Sequence, residues 1–141
     1  MKIKILFLSL FVSIIAFGQE RYYNNVDLTA EGINLKEKLA TKTISAHTNL
    51  LEYTPEVWEV LKVTDLNPEN SSEVLLIYGY STSGTTARSR NKNENGGVQG
   101  DWNREHTYPK SLGNPALGTS GPGADSHHLR PSDEGYNSQR G

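Results

Sequence analysis

The chain has 141 residues, with 14 basic and 16 acidic side chains and no cysteine, a length that fits one domain. Without cysteine it can form no disulfide and carry no lipid on a cysteine, which excludes a disulfide-stabilised scaffold and a lipoprotein. The slight acidic excess excludes a strongly basic surface, so any contact with phosphates must be local or assisted by a bound cation.

The first eighteen residues have the pattern of a secretory signal peptide. Lys2 and Lys4 form a basic start, residues 5–17 are apolar, and small residues precede an expected cleavage before Gln19. The apolar stretch of about 13 residues is shorter than the roughly 20 that a membrane-spanning helix needs. We therefore predict a secreted or periplasmic protein whose domain occupies residues 19–141 and makes no membrane contact after cleavage.

Two helices are predicted in the first half of the mature chain. Residues 29–44 carry leucines one helical turn apart, after Thr29 as a candidate N-cap. A second helix is predicted with Thr54 as its N-cap and Pro55 at its first position. Three residues form one apolar face of that helix: Val57, Trp58 and Leu61.

The middle of the chain predicts one buried strand and one long loop. Residues 74–80 form a continuous apolar run of strand-forming residues. Residues 81–100 are rich in Gly, Ser and Asn, which favours a solvated loop. This loop carries three basic candidates for phosphate contact, for which simple solvation is the stronger interpretation: Arg88, Arg90 and Lys92.

The last forty residues predict a strand, a loop, a strand and a helix. The first strand covers residues 98–108 and ends near Pro109, which cannot continue a ladder. After a Gly- and Pro-rich loop, residues 125–129 form the second strand, and Ser132 is predicted to cap a helix that reaches Arg140.

Side chains suited to phosphodiester hydrolysis gather in this segment. A water-activating base, oxygen ligands for a hard cation and a guanidinium for phosphate are the groups that the reaction needs. A residue of any of these types, taken alone, is commonly only a solvated polar group. Adjacent residues of a strand face opposite sides of the sheet, so His127 and His128, two members of the set, should not share a role. The other members of the set are Glu105, His106, Asp125, Asn137 and Arg140.

Three stretches of sequence, 102–111, 125–133 and 137–141, together resemble the bacterial endonuclease I family. A looser similarity extends upstream through residues 51–80, although Thr107 and Tyr108 stand where many members have Val and Trp. The resemblance implies an α+β fold in which a ββα-metal (His-Me finger) nuclease core follows N-terminal helices. Family members continue beyond residue 141, so we expect the domain to be incomplete at its C-terminus.

The resemblance also implies roles for single residues. His106 corresponds to the general base, and Glu105 and Asn137 correspond to ligands of a metal that is usually Mg²⁺, other divalent cations being alternatives. The remaining implied residues are a second catalytic histidine with its orienting carboxylate and a phosphate-binding arginine: His127, Asp125 and Arg140.

These observations predict a secreted, Mg²⁺-dependent endonuclease that acts as a monomer on nucleic acid with little sequence specificity. DNA is the predicted substrate, with RNA as a second candidate. The alternative is an inactive secreted module that binds nucleic acid and retains the nuclease motif. The signal peptide disfavours a nuclease of a mobile element.

Overall fold

A computed structural model describes residues 21–140 of the chain. The predicted signal peptide, residues 1–18, lies outside the described residues, as does Gly141. The chain divides into two compact units, Met1–Thr48 and Asn49–Gly141. Over the described range, no helix is long and apolar enough to cross a bilayer.

The first unit contains helix α1, Gly32–Ala46, which has no buried residue. The predicted helix exists, but its N-cap is Glu31 and not Thr29. Thr29 is occupied differently, because its backbone N–H and its hydroxyl both donate to Asp27 Oδ1, at 3.1 and 2.6 Å. This local side-chain turn delays the start of the helix.

The second unit begins with helix α2, Glu56–Thr64. Its apolar face is confirmed, since Val57 and Leu61 are fully buried and Trp58 packs edge-to-face on Trp102 with ring centroids 4.9 Å apart. The predicted cap is wrong by one position: Pro55 is the N-cap. The Thr54 hydroxyl accepts a hydrogen bond from Arg104 and caps nothing.

A small sheet joins β1, Glu73–Leu75, to β2, Ser89–Asn91, in antiparallel register. Two predictions need correction here. The strand predicted over residues 74–80 stops early, because the chain turns and Gly79 N–H donates to Leu76 O at 3.0 Å. The predicted loop over residues 81–100 contains β2 and the 3-10 turn Gly84–Thr86.

A close backbone approach explains why the loop folds back. A Cβ on Gly79 would lie 2.2 Å from Ala87 O, so only glycine permits this packing. Within the turn itself, Ile77 N–H donates to Pro131 O at 2.9 Å, which joins the turn to the chain near the C-terminus. Tyr78, the next residue, is thereby held close to that part of the chain.

The second sheet pairs β3, Trp102–His106, with β4, Leu129–Asp133, antiparallel from Trp102↔Asp133 to His106↔Leu129. Helix α3, Glu134–Arg140, follows directly. The predicted order of strand, loop, strand and helix is confirmed. Together with the helices and the two small sheets, it gives the α+β class.

The bounds of the second strand and the last helix were predicted wrongly. The strand is 129–133 and not 125–129, because Asp125 Oδ1 accepts the His127 N–H at 2.9 Å and closes a turn before it. Ser132 lies within β4, and Asp133 Oδ1 instead accepts the Tyr136 N–H at 3.0 Å at the start of α3. His127 and His128 therefore precede the strand.

The core of this unit lies between α2, β1 and the β3–β4 hairpin. It is small, and its largest buried side chain is Trp102. It fixes the hairpin, and the candidate site lies at the end where His106 pairs with Leu129. Its buried members are Val57, Leu61, Val74, Leu76, Trp102, Ala124 and Leu129.

Candidate active site

A cleft of about 470 Å³ opens at the end of β3 and beside α3. It brings together four of the residues that the sequence indicated: Glu105, His106, Asn137 and Arg140. Asp125 and His127 do not line it. The cleft therefore unites the candidate base, both candidate metal ligands and the candidate phosphate-binding arginine.

His106 is half-buried, and its Nε2 lies 2.9 Å from Gly123 O. A carbonyl oxygen only accepts hydrogen bonds, so Nε2 carries the proton and the lone pair of the neutral ring is on Nδ1. Burial lowers the pKa of His106; the hydrogen bond to Gly123 O opposes this shift, and the positive charge of Lys110 adds to it. The ring is thus a neutral base at neutral pH.

Two further rings surround His106. Tyr53 stacks with it at a centroid distance of 5.8 Å, and His128 lies at 5.4 Å with its Nε2 donating to Pro122 O at 2.5 Å. Sequence reasoning missed Tyr53 and gave His128 no role. No local signal indicates either, since Tyr53 comes from the segment before α2 and His128 from the turn before β4.

Glu105 is held by two partners, and its side chain is 12% exposed. The Tyr78 hydroxyl donates to Oε1 at 2.7 Å, and Arg140 Nε lies 3.7 Å from the same oxygen. Arg140 also lies over the Tyr78 ring, 4.4 Å from its centroid. Burial, with the hydrogen bond to Glu105, raises the pKa of Tyr78 to about 12, so the phenol remains a donor at neutral pH.

Asn137 is oriented by the backbone of β3. Its Nδ2 donates to Arg104 O at 3.3 Å, which directs the amide oxygen away from that carbonyl. Within residues 21–140, Asn137 Oδ1 and Glu105 Oε2 accept no hydrogen bond. No cluster of three or more His, Cys, Asp or Glu suited to a metal occurs in that range.

Among the cleft-lining carboxylate and amide groups, Asn103 Oδ1 already accepts the Arg104 N–H. The carboxylate and amide oxygens left to hold a metal are therefore Glu105 Oε2 and Asn137 Oδ1. Hard oxygen donors in small number fit Mg²⁺, which keeps several waters and is commonly bound through one or two protein ligands and substrate phosphates. They do not fit a structural zinc site, which needs four nitrogen or sulfur ligands.

Arg104 holds β3 against the start of α2. Its guanidinium lies between the rings of Tyr53 and Trp58, 3.7 and 3.9 Å from their centroids. It also donates to Tyr53 O and to the Thr54 hydroxyl. Both faces of this cation are covered, so its role in the structure is to anchor the strand that carries Glu105 and His106.

Arg90 is part of the fold and not of a solvated loop. Its Nη2 lies 2.5 Å from Asp133 Oδ2 and 2.7 Å from Gly84 O, and Asp133 is only 3% exposed. Lys92 Nζ donates to Ser71 O at 2.9 Å. The prediction of a solvated loop is wrong at Arg90, because a buried carboxylate engages this cation, whereas the contact of Lys92 is exposed to solvent.

The predicted partnership of Asp125 and His127 is present in the turn before β4. Their Oδ1 and Nδ1 atoms lie 2.7 Å apart, and the His127 side chain is 88% exposed. The structure thus pairs the two residues outside the cleft that holds His106.

Comparison with known proteins supports the sequence resemblance. Residues 31–141 match the family described as Endonuclease I. The extracellular ribonuclease of Bacillus subtilis (strain 168) is 48% identical over 123 residues, covering 86% of this chain and 38% of the relative. The extracellular ribonuclease of Bacillus amyloliquefaciens is 47% identical over the same shares. The chain thus spans less than two fifths of these relatives, and no solved structure matches it significantly.

Proposed function

Because the chain belongs to the endonuclease I family, we propose that it is a secreted, divalent-metal-dependent endonuclease that hydrolyses phosphodiester bonds in the cleft beside His106. One observation carries this proposal. Glu105, His106, Asn137 and Arg140, which the sequence indicated as metal ligands, general base and phosphate-binding arginine, line the same cleft. We also propose that β3, β4 and α3 form the ββα-metal core.

His106 is the proposed general base. Its Nδ1 takes a proton from a water molecule as the water oxygen forms a bond to phosphorus, and the bond from phosphorus to the leaving sugar oxygen breaks. The resulting imidazolium keeps its Nε2–H donated to Gly123 O, at 2.9 Å in the structure. Because the ring orientation is fixed before reaction, the proton transfer needs no rotation of the side chain.

Glu105 and Asn137 are the proposed protein ligands of Mg²⁺ or another divalent cation. When bound, the cation supplies positive charge that offsets the charge developing on the phosphate oxygens. Tyr78 and Arg140 orient Glu105 through its Oε1, and the fully buried core behind the hairpin limits movement of β3. Arg140, half exposed, can also donate to a phosphate.

The proposed substrates are RNA and DNA, cleaved by a monomer with little sequence specificity. The choice of RNA as a substrate is supported by the names of the two relatives, both extracellular ribonucleases. The choice of DNA as a substrate is supported by the resemblance of the sequence motifs to the endonuclease I family. The cleft is lined by charged and amide groups suited to phosphate, which carries no sequence information. The Asp125–His127 pair is assigned a supporting role in the turn before β4.

The proposal is tested by incubating the purified chain with end-labelled single-stranded RNA and, separately, with supercoiled plasmid. Cleavage with Mg²⁺ should be abolished by EDTA, recovered when excess Mg²⁺ is added, and lost in His106→Ala. His47→Ala, a histidine in the first unit, is the matched control and should cleave normally. Cleavage that survives both EDTA and His106→Ala would refute the mechanism, while binding without any cleavage would favour the inactive-module alternative.

A further inference from the structure

The cleft is positively charged although the chain as a whole is acidic. The chain has a formal net charge of −2, yet Arg104, Lys110 and Arg140 line the cleft against a single carboxylate, Glu105. A local excess of cations concentrates an anionic substrate at the site. These three cations differ in their contacts within the protein. The cation without a hydrogen bond or ion pair is the one available to the substrate.

Two of the three cations have partners in the protein. Arg104 is enclosed by two aromatic rings and donates to Tyr53 O and Thr54 Oγ1. Arg140 lies beside Glu105 and over the Tyr78 ring. Lys110 Nζ, by contrast, forms no hydrogen bond and no ion pair within the described range 21–140.

We propose that Lys110 is a phosphate-contacting residue, whose ammonium group binds a phosphate oxygen of the nucleic acid bound beside His106. This inference rests on the proposed nuclease function and adds to it a residue that neither the motif nor the family match assigns. The ligand class is a phosphodiester, because a compact ammonium donates to a phosphate oxygen as a point charge and does not read base edges.

The backbone of Lys110 is firmly placed even though its side chain is exposed. Lys110 begins the 3-10 turn Lys110–Leu112 directly after Pro109. Its carbonyl accepts the N–H groups of Gly113 and Leu117, at 3.2 and 3.0 Å. The turn therefore fixes where the side chain starts, while the long aliphatic stem leaves the ammonium able to reach a ligand in the cleft.

Lysines elsewhere in the same unit behave differently. Lys62 donates to Glu59 at 2.8 Å and Lys92 to Ser71 O at 2.9 Å, so each is engaged within the protein. Lys110 Nζ forms no such bond within the described residues, and Tyr78 and Arg140 already engage Oε1 of Glu105, the one carboxylate among the cleft-lining residues.

The test is the salt dependence of binding to a short single-stranded RNA in EDTA, where cleavage is absent. Each phosphate contact on a single strand contributes about 0.7 to the slope of log affinity against log salt concentration. Lys110→Gln should bind more weakly, with a slope reduced by about 0.7. Lys110→Arg should keep the slope, as should the matched control Lys36→Gln, an exposed lysine on α1.

Cleavage gives the second readout. With Mg²⁺ present, kcat/KM for Lys110→Gln should fall by about tenfold, corresponding to ~1.4 kcal/mol, because the variant loses a charge-assisted hydrogen bond to phosphate. Equal melting temperatures for all variants would exclude a structural cause. If Lys110→Gln kept the wild-type salt dependence of binding and the wild-type kcat/KM while His106→Ala was inactive, the role of Lys110 would be refuted and the proposed function would stand. Cleavage retained by His106→Ala would instead refute the proposed function.

Discussion

The two ends of the loop between β3 and β4 carry the same residue types in different surroundings. At the β3 end, Glu105 is 12% exposed and His106 is half-buried in the cleft. In the turn before β4, His127 is 88% exposed beside Asp125. Each end places a carboxylate close to a histidine, but only the β3 end combines desolvation, a fixed tautomer and neighbouring cations. Burial, and not residue type, separates the candidate catalytic end from the supporting one.

The β3 end depends on helix α3 lying beside it, and the buried Arg90–Asp133 pair holds that helix. Arg90→Ala leaves the Asp133 carboxylate buried and uncompensated, so the free energy of unfolding should fall by about 3–5 kcal/mol. Urea denaturation followed by circular dichroism measures this loss. The matched control is Arg88→Ala, an exposed arginine two residues earlier, which should change stability by less than about 0.5 kcal/mol. Equal effects would show that the pair does not anchor the helix.

Replacing the carboxylate at each end by its amide should have very different effects on the rate of cleavage. Glu105→Gln removes a proposed metal ligand and the charge near the phosphate, so kcat should fall by about 100-fold, corresponding to about 2.7 kcal/mol, and half-saturation should need more Mg²⁺. Asp125→Asn, in the turn, should change kcat by less than about tenfold. Steady-state rates over a Mg²⁺ titration measure both quantities. A larger loss in Asp125→Asn would reverse the assignment of the two ends.

The pH dependence of cleavage tests whether His106 is the general base. Burial lowers the pKa of His106 below 6.5, and the base is active in its neutral form, so the rate should fall only as pH drops through that lowered pKa. At pH 6.5 more than half of the maximal rate should remain, an effect of about twofold or less. The measurement is kcat/KM against pH at saturating Mg²⁺. An acidic limb centred above pH 6.5 would contradict the neutral, half-buried base.

The strand, loop, strand and helix order could be predicted because the signals for it are local. Pro109 limits the first strand, glycines and prolines mark the loop, and the apolar face of α2 follows helical spacing. The bounds of β4 could not be predicted so well. The Asp125 side chain closes a turn where the residue types also permit a strand, and Asp133 takes the capping position that Ser132 equally suits.

The supporting contacts of the site lie beyond local pattern. Tyr78 reaches Glu105 across 27 residues, and Arg90 reaches Asp133 across 43. Both contacts exist because the chain turns at Gly79 and folds back as β2, within segments whose composition indicates a strand followed by a solvated loop. The sequence thus identifies Glu105, His106, Asn137 and Arg140 in the cleft, while Tyr53 and the residues that hold the cleft in place are set by tertiary folding.

The assignment of the general base to the β3 end is tested most directly by single-turnover cleavage of one labelled RNA at saturating Mg²⁺, in which His106→Ala is compared with His127→Ala. We expect His106→Ala to slow cleavage by about 10²–10⁴-fold, the range for loss of a general base. His127→Ala, although the sequence resemblance offers it as a catalytic candidate, should slow cleavage by less than about tenfold. Equal losses, or a larger loss in His127→Ala, would contradict the claim that the half-buried β3 end performs the chemistry.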